Sequence, residues 1–324
     1  MTPLVTIAVP AYQRPELLER ALHSAFAQTG LAPSELIEVL VVEDPPAGGP
    51  TQASADIEQL CRAITGVRFR YQRNPGNLGL DNWNRCLQEA RGRWIVILHD
   101  DDWLAPDFIR QCLDLIALNP SLKLVGCRAI VEREGEPAAI AWGALARRRP
   151  QRVGPFDFLL GNPFFVSGVM MDRQLALDLG GFSHDWAPTQ DSDCWLRFCE
   201  AAPAAHLPTP LVHYFIGRNA SLSPEVMTGC IVNDFKQRRR ILDTHYPGNR
   251  WLRWHSRLKP YRERAFLERL FRRPLDASAV NRALMDAGWQ PVARGLRWTY
   301  LPLRVVLGLV ARLGAGRLVS RPGR

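Results

Sequence analysis

The sequence predicts an α/β protein: a mostly parallel sheet flanked by helices, followed by a basic helical extension. Three observations carry this. Short β-branched apolar runs alternate with amphipathic helical patterns over residues 5–127, acidic clusters fall where two of those runs end, and the net positive charge gathers in the last quarter of the chain. The 324 residues are 47% apolar and 23% charged and include 13 Phe and 10 Trp. That is ample for a large core, and it excludes a disulfide-knot peptide and wholesale disorder.

The elements follow in order. Residues 5–9 form a β-branched run stopping at Pro10, and 36–42 form another that ends at Glu43-Asp44-Pro45-Pro46; both are expected as buried parallel strands. Between them, 15–28 carries apolar residues at 17, 18, 21, 22, 25 and 26, the spacing of a helix with Pro15 in its first turn. A third strand is expected at 67–71, a helix at 82–90, and a fourth strand at 94–98 that runs into His99-Asp100-Asp101-Asp102. A helix near 105–118 and a strand at 122–127 come next. The looser stretch 132–155, with Arg147-Arg148-Arg149, is expected to be an exposed insertion or lid. Leu179-Gly180-Gly181-Phe182 signals a helix stop before a new helical pattern at 195, 196 and 198. A catalytic domain over 1–235 and a basic helical extension over 236–324 are the expected division.

Cysteine usage and charge narrow the class. Cys61, Cys86, Cys112, Cys127, Cys194, Cys199 and Cys230 form an odd set without a CxxC pair, which fits reduced core thiols. The first residues lack a basic stretch and cleavage site, so no secretory signal is expected, and no apolar run reaches the roughly 20 residues of a membrane span. A cytoplasmic protein, peripheral on the inner face of the membrane, is the expectation. Residues 250–324 hold 17 Arg and Lys against four acidic residues, a net +13, while the preceding part holds 24 against 28, a net −4. Such asymmetry points to a basic appendage meeting an anionic surface.

Two acidic constellations carry the candidate chemistry. Asp100, Asp101 and Asp102 repel one another unless a cation or a set of donors neutralises them. Hard oxygen ligands suit Mg²⁺ or Mn²⁺; the alternative is that Asp102 caps a following helix. In Gln190-Asp191-Ser192-Asp193, either acid can cap the helix, or one can project outward as a general base within reach of a hydroxyl.

These residues bear a family resemblance. The string Val5-Thr6-Ile7-Ala8-Val9-Pro10-Ala11-Tyr12-Gln13-Arg14 resembles the opening strand of the inverting family 2 glycosyltransferases. His99-Asp100-Asp101-Asp102-Trp103-Leu104 resembles that family's D-x-D-D-W-L segment, and Gly180-Gly181-Phe182 with Gln190-Asp191 and Leu196-Arg197 resembles its G-G-F, E-D and W-L-R motifs. Asn77-Leu78-Gly79, Asn84, Ala90 and Gly92 fit the segment between. The resemblance covers about residues 4–221. It implies a GT-A fold, a nucleotide-diphosphate sugar donor, a divalent cation (Mn²⁺ or Mg²⁺) and a single inverting displacement onto a hydroxyl of a saccharide or lipid-linked acceptor. It assigns Asp191 as catalytic base, Asp101 and Asp102 to the metal, and Pro10, Tyr12, Arg14, Glu43, Asp44, Asn77, Gly79, Asn84 and Asp100 to the donor. Three departures are plain: His99 stands where the family has its first Asp, so that the frame can instead be Asp100-x-Asp102 and His99 either a ligand itself or a mere neighbour; Gln190 stands where the family has Glu, and Pro45-Pro46 where it has Gly-Ser. Arg218 is a further candidate for the diphosphate, with ordinary surface placement as the alternative.

In the tail, the arginines at 294, 297, 304 and 312 share one side of a helix, with Trp298 and Tyr300 suited to a headgroup boundary. Peripheral membrane contact through 294–324 is expected, against the alternative of a docked helix with solvated arginines. Arg238-Arg239-Arg240 is expected on a solvated helix face. A sugar nucleotidyltransferase would need a Gly-rich loop after the first strand, and residues 10–15 contain no glycine. A non-catalytic sugar-nucleotide binder stays as an alternative; no recognition motif supports nucleic acid binding.

Overall fold

The computed structural model describes residues 2–31, 37–65, 68–140, 149–217, 223–299 and 305–306. Arg147, Arg148, Arg218 and most of the basic tail therefore lie outside the described residues.

Among the described residues, ten strands form one mixed sheet. They are β1 (Val5–Ala11), β2 (Ile37–Glu43), β3 (Phe69–Arg73), β4 (Trp94–Ile97), β5 (Trp103–Leu104), β6 (Leu124–Arg133), β7 (Ala139–Ile140), β8 (Gln151–Val153), β9 (Val169–Asp172) and β10 (Ala204–Ile216). The order is β3-β2-β1-β4-β9-β6-β10-β5, with β7 on β6 and β8 on β10. The long pairings β1/β2, β2/β3, β1/β4 and β6/β10 are parallel; β9 enters antiparallel between β4 and β6. β1 and β2 are buried at every position, as the unbroken apolar runs of doubly covered strands require.

Helices cover both faces. On one side α1 (Pro15–Phe26), α2 (Gln52–Arg62) and, following α3 (Asp81–Glu89), α4 (Phe108–Leu118) pack Leu18, Leu22, Ile57, Phe108 and Cys112 against Val5, Ile7 and Val9. On the other side α3, α5 (Pro155–Leu160), α6 (Arg173–Asp178) and α7 (Gln190–Ala201) pack Leu87, Phe158, Ala176 and Trp195 against Ala8, Ile95 and Ile97. The alternation of β1 side chains between two cores is the period-2 signature of a strand. All seven cysteines are free, and burial pushes the Cys61, Cys127 and Cys194 thiols up to about 12.

Two expectations change. The stretch 132–155 is not uniformly loose: β6 continues to Arg133 and β8 pairs with β10 and buries Val153, while β7 adds two exposed residues, Ala139 and Ile140, beside β6, in keeping with the expected exposure. The arginine triplet is not a solvated face. In α8 (Pro224–His245), Arg238 is 1% exposed and pairs with Glu263 of α9 (Arg250–Phe271) through two contacts of 2.5 and 2.8 Å, and Arg240 meets Asp193 and Glu200 at 3.0 and 2.9 Å. Only Arg239 of the three is exposed. Acids distant in sequence supplied the partners. Residues 235 and 236 both lie inside α8, whose Ile241 and Leu242 join the sheet core while Met227, Ile231 and Phe235 join a second core with α10 (Ala277–Asp286).

Candidate active site

The strand order reverses direction between β1 and β4, and ligands of such sheets bind in the crevice outside the carboxyl ends at that switch point. β1 outruns its neighbour: Ala8 pairs with Ile97, the last residue of β4, whereas Pro10 and Ala11 pair only with Val42 and Glu43 of β2. Ala8 accepts from Leu98 N on the β4 side, so Pro10, two residues on, turns its missing N–H toward the vacated side. The next group facing that side, Tyr12 N–H, donates to Asp100 Oδ2 at 2.9 Å. Proline is thus tolerated in a central strand because it marks the mouth of the crevice.

Asp100, Asp101 and Asp102 all converge there, each at most 4% exposed. Arg14 reaches across from the loop after β1, donating to Asp100 Oδ1 and Asp101 Oδ2, both at 2.5 Å. Burial works against the Arg14 charge, but the two carboxylates outweigh it and hold its pKa above the ordinary value. Asp102 accepts from Ser167 Oγ at 2.6 Å and Phe215 N at 3.0 Å, so it caps no helix; α4 starts six residues later. Burial pushes Asp100 up to about 7 despite Arg14, and burial with the neighbouring Asp101 charge pushes Asp102 up to about 8. Burial also lowers the His99 imidazole, leaving it neutral at pH 7. When ionised, the three carboxylates share one guanidinium, which is why Asp100 and Asp102 keep their protons up to near neutral pH, and a divalent cation would supply the missing positive charge. The donor set fits one: ligand atoms of His99, Asp101 and Asp102 lie within 4.8 Å of one another, and His99 Nε2 is buried without a hydrogen-bond partner among the described residues.

Asp191 sits in the first turn of α7, and burial pushes it up to about 6; Asn162 Nδ2 donates to its Oδ2 at 3.2 Å. The structure separates it from Asp193, which is occupied by Arg197 at 2.7 Å and Arg240 at 3.0 Å. α8 clamps this helix start, with Asn233 donating to the Trp186 and Ala187 carbonyls at 2.9 and 2.8 Å and Gln237 accepting from Ser192 at 2.9 Å. One short segment serves both acidic groups: Asn162 holds Asp191 and Ser167 holds Asp102, so their supports are separated by at most about 18 Å of chain.

The remaining candidates are placed as follows. Asp44 accepts from Asn74 Nδ2 at 3.1 Å and from Leu78 and Gly79 N–H at 2.8 Å each, folding the 77–79 loop over itself. Gly79 takes a left-handed φ of 56° in that turn, and Asn77 donates to the Pro45 carbonyl at 2.8 Å. Glu43, 1% exposed, faces β3, where it meets Tyr71 and Arg73. Asn84 makes reciprocal bonds with the Phe182 backbone at 2.8 and 2.9 Å, and a Cβ on Gly181 would collide with its side-chain oxygen. The G-G-F motif is thus a close approach of chain to α3. Sequence reading missed Asn162 and Ser167, which lie in no motif and gave no local signal. It also passed over Arg20, whose guanidinium lies 3.6 Å over Trp103 and donates to the Asp101 carbonyl at 3.2 Å. A cavity of about 940 Å³ opens at the opposite end of the sheet, where Lys123 already neutralises Asp172 at 2.6 Å.

The chain is similar to several known proteins. MT1568, an uncharacterized protein of Mycobacterium tuberculosis (strain CDC 1551 / Oshkosh), is 30% identical over 225 residues, covering 64% of this chain and 66% of that protein. Succinoglycan biosynthesis protein ExoO of Rhizobium meliloti (strain 1021) is 32% identical over 169 residues, 51% of this chain and 44% of that protein. The chain thus matches less than two thirds of the length of either relative. The mannosyltransferase PcManGT from Pyrobaculum calidifontis, solved with GDP-Man and Mn²⁺, shares the fold with a TM-score of 0.56 at 15% identity, over 97% of this chain and 88% of that one. The sheet is that of a GT-A fold, and the family model for glycosyl transferase family 2 matches residues 6–178, just over half of the chain, so the chain belongs to that family.

Proposed function

We propose that this protein transfers a sugar, with inversion, from a nucleoside-diphosphate donor to a hydroxyl of a saccharide or lipid-linked acceptor in envelope polysaccharide synthesis. The observation that carries the reading is the uncompensated carboxylate group at the β1/β4 crevice, its supporting segment shared with Asp191. Family membership, the biosynthetic name of the Rhizobium relative and the GDP-Man and Mn²⁺ of the archaeal neighbour support it. When bound at Asp101 and Asp102, a divalent cation would supply Lewis-acid stabilisation of a departing diphosphate. Arg14 then holds Asp100 and lends positive charge at the same rim. Asp191, ionised above about pH 6, accepts the acceptor's hydroxyl proton as that oxygen attacks. The basic residues of 250–324 support work at an anionic membrane surface, although among the described residues no helix is long and apolar enough to cross one.

The test is the shift in melting temperature with UDP, GDP, dTDP or CDP, each with and without Mn²⁺. One diphosphate is expected to stabilise the protein only with the metal, and Asp101→Ala to remove the shift. Stabilisation that ignores the metal would count against the ligand assignment. Asp191→Asn should retain that shift and lose transfer by about 10²-fold or more; an active Asn variant would remove Asp191 from the base role.

A further inference from the structure

His99 occupies the place of the family's first aspartate, and its surroundings show a side chain positioned but not used. Its ring packs on Trp83, with centroids 5.0 Å apart, and its backbone N–H donates to Ser167 Oγ at 3.1 Å, the hydroxyl that also holds Asp102. Nδ1 lies 3.8 Å from Asp102 Oδ2, too long for a hydrogen bond, and Nε2 is buried without a partner among the described residues. The side chain is about a quarter exposed, but Nε2 itself is buried, and a buried polar atom without a partner is unusual. Two donor atoms each about 2.1 Å from one small cation stand roughly 3 Å apart when adjacent and just over 4 Å apart when opposite. The 3.8 Å separation falls between these limits.

We infer that His99 supplies a nitrogen ligand to the cation held with Asp101 and Asp102, and that the site consequently selects Mn²⁺ and other transition-metal ions over Mg²⁺. Imidazole is a poor donor for Mg²⁺, which prefers oxygen, while affinity for mixed nitrogen and oxygen sites rises from Mn²⁺ along the first row. Asp100 lies outside the His99, Asp101 and Asp102 group and accepts from both Arg14 and the Tyr12 N–H, so it serves as the ion-paired acid, while Asp101 gives Arg14 one oxygen and the imidazole takes a position beside it at the metal. The inference rests on the cation role proposed above, but not on the identity of donor or acceptor.

The test uses the full chain loaded with Mn²⁺ alone, without nucleotide, and reads ¹⁴N coupling to the bound ion by electron spin-echo envelope modulation. The native protein should show imidazole nitrogen modulation. His99→Ala should lose it and weaken Mn²⁺ binding at least about tenfold. His99→Asp, which restores the family residue, should keep Mn²⁺ without the nitrogen signal and let Mg²⁺ compete at least about tenfold better. Failure of the native protein to bind Mn²⁺, binding without nitrogen modulation, or modulation that survives His99→Asp would each overturn the inference. Nitrogen coupling in a protein whose melting ignores all four diphosphates would uphold it while defeating the sugar-nucleotide reading. Metal-dependent diphosphate stabilisation without the coupling would do the reverse.

Discussion

Two regions of this protein bury charge, and they treat it in opposite ways. Between α8 and α9, Arg238 meets Glu263 through two contacts, and Lys259 lies 3.6 Å from the same carboxylate. At the sheet rim, Asp100, Asp101 and Asp102 share Arg14, beside a neutral His99. A charge with a structural task is matched from within the chain; a charge awaiting a ligand is left in excess. Breaking the matched pair should have the largest effect on stability. Arg238→Met strands a buried carboxylate and is expected to cost about 3–5 kcal/mol in denaturant unfolding, whereas Arg238→Met with Glu263→Leu should recover most of it. A small cost for the single variant would mean that water or Lys259 already compensates Glu263, and the contrast between the regions would weaken.

The second effect sharpens the contrast through pH. The pKa values of Asp100 and Asp102, about 7 and about 8 in the folded state, lie above the ordinary aspartate value, so the folded metal-free protein binds more protons than the unfolded chain between about pH 4 and pH 8. Its stability should therefore fall as pH rises through that window, by several kcal/mol. Saturating Mn²⁺ should flatten this part of the slope by supplying the missing charge. Asp191 and Asp234, pushed up to about 6 and about 7, contribute a decline of the same sign. Asp234 is acted on by Glu263, Arg238, Lys259 and Asp191, none of them a rim carboxylate, and its share should persist with Mn²⁺. Thermal melts at fixed ionic strength with and without Mn²⁺ measure the difference; identical slopes would show that the rim is already neutralised.

What was legible in the sequence follows the same division. β1, β2 and β4 could be read because doubly buried strands are unbroken apolar runs, and the rim aspartates because they follow such a run directly. The ends moved by a residue or two: β1 runs through Pro10, whose missing N–H faces the side that β4 has left. Partners distant in the chain could not be read. Arg238 looked like part of a solvated triplet because Glu263 lies 25 residues away, and nothing marked Ser167 or Asn162 as supports for acids 65 and 29 residues distant. By residue type and position Asp191 and Asp193 were alike, and only the family resemblance chose Asp191; the arginines at 197 and 240 distinguish them physically by pairing with Asp193.

The smallest expected effect probes the border between the two regions. Arg20 stacks on Trp103 at 3.6 Å and Phe215 at 4.8 Å, and donates to the backbone carbonyl of Asp101, not to a rim carboxylate. Burial lowers its pKa against the opposing pull of Glu132, Asp102 and Asp101, so its charge acts on the rim at a distance while its plane packs like a structural residue. Arg20→Met keeps an apolar cover over the indole but removes the cation, and should cost about 0.5–1 kcal/mol of stability. The same change deepens the negative potential of the crevice, so Mn²⁺ should bind roughly twofold to fivefold more tightly at low salt, with the gain shrinking as ionic strength rises. Titration of Mn²⁺ at two salt concentrations separates the two contributions. A stability loss with unchanged Mn²⁺ affinity would place Arg20 wholly with the matched charges; tighter binding without a stability loss would place it with the rim, whose excess negative charge it then partly conceals from solvent ions.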